Sequence, residues 1–316
     1  MPAKIKPVES LKLNNNLSIP NVALGTWKAS PDDCYNAVMT ALKCGYTHID
    51  TARIYRNEVS VGRAVNDFLK QSDVKREDLF ITTKISPYEF QDPENAILAS
   101  LERLQLDYVD LYLMHHCLAE VTGEGIMPRD ENGFRKHIPP EVFSYVDAYR
   151  LLQKLVSKGY TKSIGICNIN VPKIQRLLET KDLIPPAVVQ CEIHPYLPQH
   201  DLVEFCKANN VVVEAYSPFG STGAPLLDDP DIVQIAQKHD VTPACIAVSW
   251  AVQRGTVALP KSTTAERIKA NIILIELDGD DMDVIDNIHK RITKRYLEPK
   301  WKLNVYDSDA DFRPYT

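Results

Sequence analysis

The chain alternates between short apolar runs and longer segments whose hydrophobic positions recur every three to four residues. Continuous apolar runs indicate strands that are buried on both faces, and the longer periodic segments indicate helices that pack on one side. The pattern predicts eight strands, at 22–26, 47–50, 79–85, 108–115, 163–167, 188–192, 211–217 and 256–260. It predicts helices at 32–43, 59–70, 93–104, 142–157, 172–179, 201–209, 231–239, 243–253, 266–271 and 282–290. A helix follows each strand, so the fold class is α/β, a (β/α)8 TIM barrel.

Three further segments lie outside this alternation. Residues 11–20, LKLNNNLSIP, predict an N-terminal β-hairpin, because the asparagines tolerate a left-handed turn. A polar loop spans 117–140, and an aromatic, charged tail begins at Pro299. A doubly wound sheet is the rival fold, but the glycine-rich G-x-G-x-x-G turn that it would carry is absent. No Gly/Ser-rich linker divides the chain, so 1–316 is interpreted as one domain.

Composition narrows the class of partner. The formal net charge of −6 gives no electrostatic reason to bind nucleic acid or an anionic membrane. No apolar run approaches the roughly 18 residues of a membrane span, and the N-terminus lacks the apolar segment of a secretory signal. The seven cysteines are odd in number and form no C-x-x-C pair, which argues against a disulfide framework or a metal site. We expect a cytoplasmic protein with a small-molecule partner.

Candidate chemistry collects at the ends of the predicted strands, which meet at one face of a barrel. Asp50, Tyr55, Lys84 and His115 all fall at or just beyond such ends. A carbonyl that is reduced needs hydride at carbon and a proton at oxygen. A phenol has a pKa near 10, and a nearby ammonium lowers it. Lys84 is therefore expected to lower the pKa of Tyr55, Asp50 to hold Lys84, and His115 to orient the carbonyl.

The segment GYTHIDTARIYRNEVSVGRAV (45–65), together with DLYLMH (110–115) and LPKS (259–262), resembles the aldo-keto reductase family, above all its yeast and fungal aldehyde/ketone reductases and glycerol dehydrogenase-like members. The resemblance extends over nearly the whole chain. It implies that the four residues above are a catalytic tetrad with Tyr55 as the general acid. It also implies that NADPH or NADP+ binds across the barrel mouth without a Rossmann fold.

The same resemblance assigns cofactor contacts to Asn168, Gln190, Tyr216, Ser217, Lys261, Ser262, Thr263, Arg267 and Asn271. Asn168 and Gln190 would bond the nicotinamide carboxamide, and Tyr216 would stack on the ring. Ser217 and the loop 218–227 would cover the pyrophosphate, and Asn271 would meet the adenine. Residues 261–263 and Arg267 would hold the 2′-phosphate. Barrels commonly bind phosphate after strands seven and eight, and arginine binds phosphate in a bidentate fashion, so NADPH is favoured over NADH.

The substrate pocket departs from the family pattern. The family usually has His-Trp-Pro where this chain has His115-His116-Cys117. Because imidazole is smaller than indole and can hydrogen-bond, His116 predicts a wider, more polar pocket for bulky or polar ketones, unless it turns away and another residue fills the wall. Arg53 either binds an anionic substrate group or projects into solvent. Trp27 and Trp301, the latter in the C-terminal specificity loop, match pocket-wall aromatics.

The resemblance implies NADPH-dependent reduction of aldehydes and ketones. A first alternative is physiological oxidation of an alcohol such as glycerol with NADP+, because the same site operates in both directions. A second is a non-catalytic binding protein on the same fold, like potassium-channel β subunits or lens proteins. The intact tetrad argues against that second alternative, since a scaffold has no need for Lys84 beside a tyrosine. A monomer is expected, with a dimer as the alternative.

Overall fold

The computed structural model describes residues 4–306 and 313–314. Its strands are β1 (Ile5–Lys6), β2 (Ser10–Lys12), β3 (Ser18–Pro20), β4 (Leu24–Gly25), β5 (His48–Asp50), β6 (Phe80–Ile85), β7 (Val109–Met114), β8 (Thr161–Cys167), β9 (Val188–Glu192), β10 (Val212–Tyr216), β11 (Val257–Leu259), β12 (Leu274–Ile275), β13 (Leu303–Asn304) and β14 (Arg313–Pro314). Its α-helices are α1 (Pro31–Lys43), α2 (Glu58–Gln71), α3 (Pro93–Leu104), α4 (Tyr145–Leu152), α5 (Lys154–Ser157), α6 (Val171–Glu179), α7 (His200–Ala208), α8 (Pro230–His239), α9 (Pro243–Gln253), α10 (Ala265–Asn271) and α11 (Gly279–Asn287).

The central sheet is a closed parallel barrel. Strands β4 to β11 follow one another in sequence order, each parallel to the next. The two outer strands then meet, because the Ala23 amide donates to the Ala258 carbonyl and the Gly25 amide to the Pro260 carbonyl, both at 2.9 Å. The (β/α)8 prediction is confirmed, and all eight predicted strands are present.

Local capping explains where most helices begin. Ser30, Asp92 and Thr242 each accept a hydrogen bond from the backbone amide three residues later, and a proline follows each of them at the first helical position. Capping also accounts for two errors of prediction. The helix expected at 142–157 begins only at Tyr145, since Ser144 caps it, and it breaks into α4 and α5. The helix expected at 282–290 begins three residues earlier, because Asp278 caps it.

The barrel interior is apolar near the amino ends of the strands and polar near their carboxyl ends. The apolar layer includes Leu111, Val188 and Val257, and the β2–β3 hairpin inserts Leu13 and Ile19 beneath it. The polar layer is also buried and consists of Asp50, Lys84, Gln190 and Glu214, with His48 below them at the amino end of β5. Successive strand residues point to opposite faces, so these polar positions share the inner face with the apolar ones. The N-terminal hairpin therefore closes the bottom, and the chemistry lies at the top.

None of the helices within 4–306 is long and apolar enough to cross a membrane. Among the same residues all seven cysteines are free thiols, and Cys44 is the one that is not fully buried.

Candidate active site

A buried ion pair joins the second and third barrel strands. The Lys84 Nζ donates to both carboxylate oxygens of Asp50 at 2.7 Å and to the Thr51 carbonyl at 2.9 Å. Thr82 on β6 is in register with Asp50 on β5, so Lys84, two residues further, points to the same interior face. Burial disfavours the charge on Lys84, but Asp50 and the Tyr55 phenol outweigh it and raise the pKa of the ammonium. Lys84 is therefore a permanent cation in the site.

Tyr55 lies beside this cation, at the end of a 3-10 turn (Arg53–Tyr55) that follows β5. Its hydroxyl is 3.5 Å from the Lys84 Nζ, and the ammonium is 5.0 Å from the ring centroid. Lys84 lowers the pKa of the phenol, as expected, but the net shift is upward. Burial raises the pKa of Tyr55 above its ordinary value, and the opposing effect of Lys84 is smaller. The phenol is consequently held protonated at neutral pH, the state that a proton donor needs.

His115 faces the phenol from the end of β7. Its ring lies edge-on to Tyr55 with 5.5 Å between centroids, and its backbone amide donates to the Ile85 carbonyl at 3.2 Å. Burial, followed by the charge of Lys84, lowers the pKa of His115 well below its ordinary value. The imidazole is therefore neutral, and its buried Nδ1 has no hydrogen-bond partner among the described residues. A neutral imidazole can orient a carbonyl oxygen, but it is a poorer proton donor than the Tyr55 phenol.

Three of the predicted nicotinamide contacts lie next to this group. The Gln190 Nε2 donates to Asp50 at 2.9 Å. The Asn168 Nδ2 donates to the His115 carbonyl at 2.8 Å, and its Oδ1 accepts the Tyr216 hydroxyl at 2.6 Å. Two amides and an aromatic ring thus lie next to the tetrad, a combination of polar and flat groups that fits a nicotinamide carboxamide.

The predicted adenosine contacts lie at the last strand of the barrel. Lys261, Ser262 and Thr263 follow β11, while Arg267 and Asn271 belong to α10. Lys261 and Arg267 are exposed, and neither forms a salt bridge within the described part of the chain. Two uncompensated cations at this position fit a phosphate group.

The connection between the two groups of contacts begins at Ser217, which has a φ of 55°. Its turn continues through further residues with positive φ, namely Gly220, Ser221, Gly223 and Ala224. The Lys28 Nζ donates to Thr222 at 3.2 Å and thereby ties this loop to the segment after β4. The residues present therefore fit an extended dinucleotide, with neutral amides at one end and free cations at the other.

His116 packs against two other rings, which favours the alternative that another residue fills the wall of the pocket. Its ring stacks on His115 at 5.4 Å, and Trp301 from the tail packs edge-on against it at 6.0 Å. The Arg135 guanidinium covers Trp301 at 4.4 Å and forms an ion pair with Glu120. The space that a smaller ring leaves is therefore filled by an indole and a guanidinium, and His116 is 4% exposed.

The other two pocket candidates differ in their surroundings. The Arg53 Nε is 3.4 Å from the Glu89 carboxylate, so an anionic substrate group would compete with Glu89 for this guanidinium. Trp27 is partly exposed at 36%, and the Lys28 ammonium lies 4.3 Å from its ring centroid. The structure therefore places Trp301 against His116, the neighbour of the tetrad histidine, and leaves Trp27 at the surface.

Sequence reasoning missed the residue that anchors the tail. Glu192, at the end of β9, accepts the backbone amides of Tyr296 and Leu297 at 2.7 Å and the His194 Nε2 at 2.9 Å. Burial opposes its charge, but these hydrogen bonds outweigh burial and lower the pKa of Glu192. A carboxylate at a strand end was visible in the sequence, but the two tail amides that it accepts lie more than 100 residues away.

Replacing Glu192 with glutamine is expected to lower the free energy of unfolding by about 2 kcal/mol, because hydrogen bonds to a buried charged acceptor are weakened. Since the folded-state pKa is depressed, this stabilisation is present at neutral pH and is lost as pH falls below the ordinary range of glutamate. Thermal unfolding at neutral and acidic pH checks it. Glu276→Gln, which removes an exposed partner of Lys4, is the control and should leave Tm unchanged. Equal Tm values for the two variants would contradict the claim that Glu192 anchors the tail.

A closed parallel barrel whose carboxyl end joins tyrosine, lysine, aspartate and histidine defines the aldo-keto reductase class. The model of the Aldo/keto reductase family matches residues 21–290. The chain belongs to this family.

Two yeast proteins and one solved structure show which members of the family the chain resembles. The chain is 44% identical over 310 residues to the glycerol 2-dehydrogenase (NADP(+)) of Saccharomyces cerevisiae, covering 95% of this chain and 98% of that protein. It is 45% identical over 310 residues to the aldehyde reductase YPR1 of the same yeast, with the same coverage. The structure of aldose reductase from Giardia lamblia superposes with a TM-score of 0.86 at 36% identity, covering 91% of this chain and 98% of that one.

Proposed function

We propose that this protein reduces aldehydes and ketones to alcohols with NADPH, and that Tyr55 donates the proton. The observation that carries the proposal is the contact of the Tyr55 hydroxyl with the Lys84 ammonium at 3.5 Å, beside the neutral ring of His115. The yeast relatives, an aldehyde reductase and an NADP(+) dehydrogenase, support both the reaction and the cofactor.

A bound nicotinamide would supply the hydride, and the chain supplies the proton and the groups that position it. Tyr55 holds a proton on its hydroxyl until the carbonyl oxygen acquires negative charge. Lys84 stabilises the phenolate that remains, and Asp50 keeps Lys84 charged and fixed through two hydrogen bonds of 2.7 Å. His115 is neutral and can orient the carbonyl oxygen. Such a positioned acid contributes roughly 100- to 10,000-fold to the rate.

The test is the consumption of NADPH with a panel of aliphatic, aromatic and hydroxylated carbonyls, with the alcohol identified in each case. Equimolar alcohol and NADP+ supports the proposal, and no turnover with any member contradicts it.

Alcohol oxidation is the second candidate, and the 44% identity to a glycerol 2-dehydrogenase favours it. The same four side chains serve this direction, with the ionised form of Tyr55, stabilised by Lys84, as the acceptor of the alcohol proton. Comparing kcat/KM for glycerol with NADP+ and for the corresponding carbonyls with NADPH distinguishes the two physiological directions.

Lys261 and Arg267 are proposed to set the preference for NADPH over NADH. Replacing both, as Lys261→Met with Arg267→Leu, is expected to raise the Kd for NADPH by about 100-fold or more, since each of the two charge-assisted hydrogen bonds contributes roughly 1.5–3 kcal/mol. The Kd for NADH should stay within about twofold because it lacks the 2′-phosphate. Fluorescence titration measures both. Lys181→Met, which removes an exposed cation after α6, is the control. Equal weakening of both cofactors would contradict the assignment.

The cytoplasm is the proposed location. It is supported by the seven free thiols, which a reducing compartment preserves. A monomer is the proposed state, and sedimentation of the purified protein tests it.

A further inference from the structure

Glu214 is a buried carboxyl that the reaction described above does not use. It lies on β10 inside the barrel and is 0% exposed. Its Oε2 accepts a hydrogen bond from the Gln190 Nε2 at 2.7 Å, and its Oε1 accepts none among the described residues. Lys84 forms hydrogen bonds to Asp50, Thr51 and Tyr55 but not to Glu214. In the part of the chain that the structure describes, the two buried carboxyls therefore have a single ammonium nearby, and that ammonium is paired with Asp50 and not with Glu214.

The neighbouring His48 indicates where a proton must sit. Its Nδ1 is 3.3 Å from the Pro20 carbonyl, which can only accept, so Nδ1 carries the hydrogen. In the neutral ring Nε2 is then an acceptor, and it takes the Thr82 hydroxyl at 3.0 Å. Glu214 Oε1 lies 3.6 Å from that same Nε2. Two acceptors would face each other at this distance unless Glu214 Oε1 carries a proton.

The alternative, a protonated His48 beside an ionised Glu214, is disfavoured by the surroundings. His48 is completely buried, and burial together with the nearby charge of Lys84 holds its pKa at about 3. The titratable groups around Glu214 are His48 and Asp50 on β5, Lys84 on β6 and Cys167 on β8. Burial and then the charge of Asp50 raise the pKa of Glu214 to about 8. The carboxyl is thus mostly neutral at neutral pH.

Gln190 connects this carboxyl to the cofactor site. Its Nε2 donates to Asp50 at 2.9 Å and to Glu214 at 2.7 Å, so both amide hydrogens are directed at carboxyl oxygens. The amide oxygen is left as the acceptor, which accepts no side-chain or backbone hydrogen bond within the described residues. The amide orientation is therefore fixed by two acceptors, one ionised and one neutral.

We propose that Glu214 is a positioning residue that fixes the Gln190 amide, the predicted contact of the nicotinamide, and that it would release a proton when the bound ring is the oxidised, positively charged form. The inference rests on the proposed function. A positive charge nearby favours the ionised carboxyl. The Glu214 O–H bond breaks, its electron pair stays on the carboxylate, and the proton goes to bulk water. The added ring charge is then balanced by the carboxylate. Affinity for NADP+ should therefore rise with pH relative to affinity for NADPH.

The test measures Kd for NADP+ and NADPH by tryptophan fluorescence from about pH 6 to pH 10, a range that brackets the pKa of the carboxyl. The parent protein carries Tyr55→Phe, so that the phenol does not titrate. The ratio of the NADPH Kd to the NADP+ Kd cancels the shared phosphate groups, and it should rise about tenfold or more with pH in the parent. Adding Glu214→Gln should make the ratio independent of pH. Adding Glu58→Gln instead, which replaces a buried carboxylate hydrogen-bonded to Thr83 and Arg103, should leave the pH dependence of the ratio unchanged.

The assignment would be overturned if the ratio of the two Kd values still rose with pH in the Glu214→Gln variant. It would also be overturned if the ratio did not change with pH in the parent. A protein that binds neither cofactor would instead refute the proposed function. A second measurement needs no Glu214 variant. With the Tyr55→Phe protein in weak buffer near the pKa of the carboxyl, saturation with NADP+ should release up to about one more proton than saturation with NADPH. Equal proton release with the two cofactors would contradict the proposal even if Glu214→Gln fails to fold.

Discussion

Replacing Tyr55 with phenylalanine is expected to lower kcat for aldehyde reduction by about 100- to 10,000-fold. The substitution removes the proton that the carbonyl oxygen must receive and keeps the ring that packs edge-on against His115 at 5.5 Å. Affinity for NADPH should therefore stay within about twofold, because a loss confined to the transition state lowers kcat without changing binding.

Steady-state NADPH consumption and fluorescence titration measure these two effects separately. Tyr35→Phe is the matched control, because it removes the hydroxyl that donates to Asp67 far from the barrel interior. That variant should keep the kcat of the wild type. If Tyr55→Phe also keeps it, another group donates the proton and the mechanism is wrong.

Replacing Lys84 with methionine is expected to have two large effects. It leaves the Asp50 carboxylate buried without its cation, which costs about 3–5 kcal/mol of folding free energy and lowers Tm by roughly 10 °C. It also removes the charge that stabilises the Tyr55 phenolate, so kcat should fall by at least about 100-fold.

A second substitution separates the two effects of Lys84. In Lys84→Met with Asp50→Asn, both ionised partners of the 2.7 Å pair are gone, so most of the lost stability should return. The lost activity should not return, because the phenol still lacks an ammonium. Thermal unfolding and NADPH consumption on the single and double variants check this. Recovery of the rate together with the stability would show that the ion pair is only structural.

The sequence was sufficient for the barrel because each strand carries its own signal. The apolar run at 188–192 is a strand with those same bounds, and the segment 93–104 is a helix between Asp92 at its cap and Gln105 in a left-handed conformation. Errors occurred where a local hydrogen bond decides the boundary, as at Ser144 and Asp278. Hydrophobic periodicity does not report such bonds.

Within the site, strand-end positions predicted which side chains come together but not how they interact. Asp50 and Lys84 were expected to pair, and they do. The raised pKa of Tyr55 was not foreseen, because burial depends on everything that covers the ring. Glu214 went unnoticed within an apolar strand, since its partners Gln190 and His48 lie on other strands.

The pocket wall shows the same limit. From the sequence, His116 could be compared only with the residue that the family usually has at its own position. The Trp301 side chain that fills the adjacent space comes from a tail segment 185 residues further along the chain, and that contact depends on the complete fold.

The central claim, hydride from the nicotinamide and a proton from Tyr55, is tested most directly by following a label. NADPH deuterated at C4 on the transferred face is incubated with an aldehyde and the wild-type protein, and the alcohol is examined by mass spectrometry. The account predicts one deuterium on the carbinol carbon for each NADPH consumed, and almost no labelled alcohol from Tyr55→Phe. Unlabelled alcohol from the wild type, or equal amounts of labelled alcohol from both proteins, would contradict it.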